Sequence, residues 1–116
     1  MMHGPGAQDY GIEVYAKDGI RYLRIDRLLG HKPDGKPIWS TRARLRLPAM
    51  DSTEEIVIEG LCSMNNKEDP FIFGIAGFDT YVASPARRAW RFDLPGETLR
   101  EIPTSGVTCW HVTPDD

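Results

Sequence analysis

Two cysteines and one histidine are the side chains of this chain best suited to chemistry, and their spacing narrows what that chemistry is. Cys62 and Cys109 are the only cysteines. His111 follows Cys109 at i+2, on the same face of any strand that carries both. Two thiolates and an imidazole are zinc-ligand types. No Cys-x-x-Cys pair and no second histidine at ligand spacing accompany them, so no metal site is expected. That leaves a disulfide or two buried free thiols. A bridge would close nearly fifty residues and stabilise the fold by about 4 kcal/mol in the chain-entropy model.

Other reactive patterns are missing. There is no Gly-x-Ser-x-Gly elbow and no glycine-rich strand-to-helix junction to cradle phosphate. His3 falls in an N-terminal tail, His31 in a turn and His111 in the last strand. Asp79, Asp93 and the Glu54-Glu55 pair sit in turns or at strand ends, where acids are common. A non-catalytic protein without a cofactor is the expectation. A small hydrolase using His31 or His111 is the enzyme alternative, and a barrel-shaped ligand carrier is a third class.

Arginines and aromatics suggest binding instead. Arg42, Arg44 and Arg46 alternate along one strand, and Arg87, Arg88 and Arg91 form a second basic group. Guanidinium forks suit carboxylates, phosphates or an acidic partner. The plainer reading is a solvated sheet face balanced by Glu55, Glu59 and Glu101, with arginines also blunting an edge strand. A net charge of −3 argues against nucleic acid. Tyr, Trp and Arg dominate interface hot spots. Trp39 and Trp90 are expected in the core. Tyr15 and Tyr22, rimmed by Arg42, Arg44 and Arg46, are the candidate contact surface for another protein or a second copy of the chain.

The elements that must position these residues are strands. Asp18-Gly19 is a type I′ hairpin signal and pairs Lys17 with Ile20. The same register matches Tyr15 with Tyr22, Val14 with Leu23, Glu13 with Arg24 and Ile12 with Ile25. Aliphatic then meets aliphatic and acid meets base. Ile12, Val14, Leu23 and Ile25 should face the core. After a turn on Pro33-Asp34-Gly35, residues 38–47 alternate. Trp39, Thr41, Ala43, Leu45 and Leu47 share one face, and Ser40, Arg42, Arg44 and Arg46 the other.

Ser52 and Glu55 fit a capping box, so one short helical turn near 51–55 is allowed before a strand over 55–63. Residues 65–70 read as a loop. Residues 71–78 are apolar on both faces, as in a covered central strand. Gly74 and Gly77 there imply a bulge or something large against the backbone. Residues 79–86 read as a loop carrying Tyr81 and Val82. A strand over 87–93, a type II turn at Leu94-Pro95-Gly96-Glu97, a return over 98–102 and a last strand over 107–112 complete the chain. The sum is an all-β fold of 7–8 short strands, an antiparallel sandwich or small curled barrel.

At 116 residues, with 41% apolar and 27% charged, the chain suits one globular domain. Residues 1–10 are expected to be a flexible tail or a remnant, and 11–116 the β domain. The first nine, MMHGPGAQD, lack the apolar run of a signal peptide, and no apolar run approaches a membrane span.

AWRFDLPGETLREIPTSGVTCW, with the earlier LRLPAM and GLCSMNN, resembles small secreted or periplasmic β-rich proteins of proteobacteria that end in a Gly-Val-x-Cys strand. The likeness covers the last seventy residues or so. It implies a periplasmic or secreted setting and a Cys62–Cys109 bridge, and it carries no catalytic residue. The expected function is therefore non-catalytic binding of a protein partner. A narrower version is an inhibitor or immunity protein of a secreted enzyme.

Overall fold

The Asp18-Gly19 turn sets the first sheet. Both residues take positive φ, 53° and 79°, as a two-residue type I′ loop requires. They join β1 (Tyr10–Lys17) to β2 (Ile20–His31). The register is the expected one, with Lys17 opposite Ile20, Tyr15 opposite Tyr22, Val14 opposite Leu23, Glu13 opposite Arg24 and Ile12 opposite Ile25. Leu23 and Ile25 are fully buried, with Ile12 and Val14 half-buried beside them. β1 starts at Tyr10, itself buried, so that residue belongs to the sheet and not to the tail.

The structure, a computed structural model, describes residues 9–58, 60–77 and 83–110. His3, Glu59, Phe78, Asp79, Tyr81, Val82 and His111 lie outside the described residues. The chain sorts into two compact units, Met1–Pro48 with Leu94–Thr98, and Ala49–Asp93 with Leu99–Asp116. Among the described residues eleven strands form three antiparallel sheets, with no helix and no closed barrel, in keeping with an all-β sandwich.

In the first unit β2 also pairs with β3 (Pro37–Arg46). Their link turns at Lys32-Pro33-Asp34-Gly35, where the Gly35 N–H donates to the Lys32 carbonyl at 2.8 Å and Gly35 is left-handed (φ 89°). The β2–β3 register slips at Arg42. Ala43 faces Ile25 and Thr41 faces Asp26, so Arg42 has no partner across the ladder. Such a bulge reverses which face the preceding residues occupy. Ala43 and Leu45 stay on the Leu23–Ile25 side, whereas Thr41 and Trp39 pass to the other. The expected unbroken alternation over 38–47 is thus wrong in its first half, and Trp39 is 46% exposed instead of core.

The second unit carries two four-stranded sheets. One runs β10 (Thr98–Ile102), β9 (Arg88–Asp93), β7 (Ile72–Gly77), β4 (Glu54–Val57). The other runs β6 (Lys67–Glu68), β5 (Cys62–Met64), β11 (Val107–Trp110), β8 (Ala83–Pro85). β7 is the buried central strand that its sequence implies. One strand reading and two loop readings need correction. The expected strand over 55–63 is two strands in different sheets, broken at Gly60 (φ 79°). The 65–70 loop contains a hairpin, because Asn65 and Asn66 both accept positive φ (51° and 67°) and bring Lys67 opposite Met64. Residues 83–85, expected in a loop, pair with β11.

No helical turn forms near 51–55. Asp51 instead accepts from the Thr53 N–H at 2.8 Å and donates its own N–H to Glu54 Oε1 at 3.1 Å. The β-branched Ile56 and Val57 then enter a strand against Ile75 and Gly74. Cys62 and Cys109 lie directly opposite each other on β5 and β11 and are bridged. The bridge packs on Gly74, where a Cβ would sit 2.6 Å from Cys109 Sγ and 3.3 Å from Cys62 Sγ. Val57, Ile72, Ala76, Ala86, Ala89 and Val107 surround the sulfurs. That accounts for a glycine at 74.

Candidate binding face

Strand alternation assembles the candidate contact residues on the outer face of β1–β2–β3. Tyr15 and Tyr22 are cross-strand partners whose rings stack at 5.4 Å, 21° apart. Arg46 is opposite Tyr22 on the next strand, so Tyr15, Tyr22 and Arg46 make one row across three strands. The adjacent row is Glu13, Arg24 and Arg44. Arg24 covers the Tyr15 ring at 5.4 Å and holds Glu13 at 2.5 Å and Asp26 at 3.0 Å. Both tyrosines are half-buried, and Arg44 and Arg46 are exposed. Among the described residues neither arginine has an ion-pair partner.

Arg42 does not join them. The bulge turns it toward Glu97, whose Oε2 lies 3.4 Å from its Nε. Glu97 also accepts from the Tyr10 hydroxyl at 3.1 Å and lies 4.0 Å from Arg27. Burial foremost, then the Glu97 hydrogen bond, raises the Tyr10 pKa above its ordinary value. The arginine stripe expected from alternation is therefore two residues long.

Glu97 occupies an unusual backbone position. The expected type II turn would put positive φ on Gly96, but the left-handed residue is Glu97 (φ 48°). Its N–H donates to the Leu94 carbonyl at 3.2 Å. This repeats the Lys32–Gly35 turn with glutamate where that turn has glycine. A left-handed non-glycine costs about 1 kcal/mol, and here the side chain's three partners offset it.

The second basic group behaves as ordinary sheet surface. Arg87 meets Glu54 at 3.2 Å, Arg88 meets Glu101 at 2.7 Å, Arg91 meets Asp69 at 3.5 Å, and Arg100 pairs with Asp93. Arg88 also covers Trp90 at 5.2 Å. Among the described residues no three His, Cys, Asp or Glu side chains gather to hold a metal ion. Cys109 is committed to Cys62, and His31 ends β2 in an exposed stretch.

Sequence reasoning missed Trp39, Arg24 and Asp26. The signal was present for Arg24, whose pairing with Glu13 follows from the hairpin register. For Trp39 nothing in the alternation announced the bulge. No protein-family model matches the chain, and no curated protein or solved structure matches it. No described helix is long and apolar enough to cross a membrane.

Proposed function

We propose that the protein is a non-catalytic binding domain of an extracytoplasmic compartment that takes an acidic protein partner on the outer face of β1–β3. The observation that carries this reading is the row Tyr15–Tyr22–Arg46 flanked by Arg44, in which two guanidiniums have no carboxylate partner among the described residues. Stacked tyrosines offer rigid apolar area at small entropic cost, and guanidiniums without an internal partner favour an acidic surface. Charge distribution supports the same partner. The first unit holds nine Lys and Arg against six Asp and Glu, a net +3, and the second five against eleven, a net −6. The acidity of the whole chain thus hides a basic region. The Cys62–Cys109 bridge is compatible with a periplasmic or secreted location, and an inhibitor or immunity role for a secreted enzyme is the narrower form of the proposal.

The test is quantitative pull-down from an extracytoplasmic extract with wild type, Tyr15→Ala/Tyr22→Ala and Arg44→Glu/Arg46→Glu. Each double variant should reduce capture of the partner at least tenfold, and capture should weaken with added salt. Equal capture by all three proteins would sink the proposal. Retained capture by the tyrosine variant alone would remove the aromatic half of the face.

A further inference from the structure

At the Trp39 end of the same sheet the surface is indented. A cleft of about 410 Å³ is lined by Gly11, Ile12, Glu13, Arg24, Asp26 and Trp39, within the usual range for small-ligand sites, roughly 300–1,000 Å³. The indole forms one wall. Gly11 lies under its edge, where a Cβ would come within 3.5 Å of Cζ3 and Cη2, so the ring rests close to bare backbone. The remaining lining is polar and already ordered. Arg24 bridges Glu13 and Asp26 at 2.5 and 3.0 Å, and the Thr41 hydroxyl donates to the other Asp26 oxygen at 2.8 Å.

This lining selects among ligand classes. An anion would meet two carboxylates. A cation would find one carboxylate charge left over, but Arg24 stands between the two carboxylates and Thr41 holds the other Asp26 oxygen, so no pair of free carboxylate oxygens converges on it. A purely apolar ligand would desolvate three charged side chains and return no hydrogen bonds. A hydroxyl both donates and accepts. Neighbouring hydroxyls on a ring can donate to the spare lone pairs of Glu13 and Asp26 and accept from the remaining Arg24 N–H groups. The C–H face of such a ring carries slight positive charge and suits the negative face of the indole. We propose that this cleft binds a neutral saccharide, with Trp39 as the platform and Glu13, Arg24 and Asp26 as hydroxyl partners. The cleft adjoins the protein-binding face without coinciding with it: Tyr15, Tyr22, Arg44 and Arg46 do not line it, and Arg24, which does, also covers the Tyr15 ring.

The three tryptophans give three indole N–H signals in a nitrogen-edited proton NMR spectrum, which makes the test local. Trp90 is buried and Trp110 does not line the cleft. Wild type is titrated with neutral oligosaccharides of glucose, mannose, galactose and N-acetylglucosamine. An oligogalacturonate and choline serve as anionic and cationic comparators. At least one neutral oligosaccharide should move the Trp39 signal and leave that of Trp90 in place. Trp39→Ala, followed on the Gly11 and Asp26 amides, should bind at least tenfold more weakly. Trp39→Phe should lose only a few-fold, and Trp110→Phe, which alters an exposed indole outside the cleft, should bind as wild type does. The proposal is overturned if no neutral oligosaccharide moves the Trp39 signal, if Trp39→Ala binds unchanged, or if only a charged comparator binds. Loss of saccharide binding in Trp110→Phe would also overturn it, since the ligand would then sit on another indole.

Discussion

In the second unit Arg87, Arg88, Arg91 and Arg100 each reach an aspartate or glutamate of the same unit, whereas in the first Arg44 and Arg46 reach none among the described residues. The tryptophans divide less cleanly: Trp90 is 3% exposed beneath Arg88, whereas Trp39, beside a cleft in the first unit, and Trp110, in the second, are 46% and 48% exposed. Arginine is thus wholly paired and spent on internal cohesion in one region, and at Arg44 and Arg46 left facing solvent in the other. Arginine content alone therefore says little about binding; the location of the carboxylates separates a solvated structural face from a receptive one. The second unit has a sulfur-centred core that makes such cohesion possible. The first has one thin sheet, which buries Tyr10 and carries Tyr15 and Tyr22 on its outer side.

The sharpest way to break this comparison is to remove the bridge. Cys62→Ala/Cys109→Ala should lower stability by about 4 kcal/mol in the chain-entropy model, read as a drop in the urea midpoint, while the Tyr15–Tyr22 face keeps its spectroscopic signature. If the tyrosine signals collapse together with the core, the hairpin face depends on the bridged core and the contrast between the units is lost. Gly74→Ala should cost about 1–3 kcal/mol through overpacking on the sulfurs. Most of that penalty should vanish in the cysteine-free background, a coupling that a double-mutant cycle measures. In the first unit Tyr10→Phe deletes the hydrogen bond to Glu97 and should cost about 1 kcal/mol, again by urea titration.

The smallest effect concerns pH. The Arg88 hydrogen bond holds the Glu101 carboxyl below its ordinary value. A carboxyl depressed on folding contributes stability above its unfolded pKa, and loses that contribution as pH falls through the folded one. Glu101→Gln should therefore flatten the acid limb of the stability profile slightly, starting below about pH 4.5. Arg44→Glu should leave that limb in place, because Arg44 has no such partner; an equal flattening in both would erase the contrast between the units.

Much of the architecture was readable because local rules and tertiary demands agree there. Asp18-Gly19 dictates a register, and the register alone places Tyr15 against Tyr22 and Glu13 against Arg24. Gly74 in an apolar run signals close approach, although only the fold shows that the sulfurs make it. Failures occur where two local rules are equally satisfied. Alternation over 38–47 is compatible with a straight strand, and a single extra residue at Arg42 exchanges the faces of Trp39 and Thr41 without altering composition. Asn65-Asn66 satisfies a loop as well as a tight turn. Leu94-Pro95-Gly96-Glu97 offers glycine at the type II position, yet the partners of Glu97 lie far away in sequence and favour the alternative. Of the candidate face, the positions of Tyr15, Tyr22, Arg44 and Arg46 were legible from register and alternation, and only the departure of Arg42 was not. The cleft was not, because it depends on the bulge.

The bridge joining directly opposite residues of β5 and β11 has a mechanical consequence. A force applied at the two ends of the chain passes from Cys62 to Cys109 through sulfur and bypasses everything between. The 46 residues between the cysteines, which are 47 positions apart and enclose β7, β9 and β10, contribute nothing to extension while the bridge is intact. At about 3.4 Å per extended residue, about 160 Å of contour length stays hidden. Pulled oxidised, the molecule should lengthen mainly by unzipping its N-terminal hairpins; pulled reduced, it should pay out the remainder.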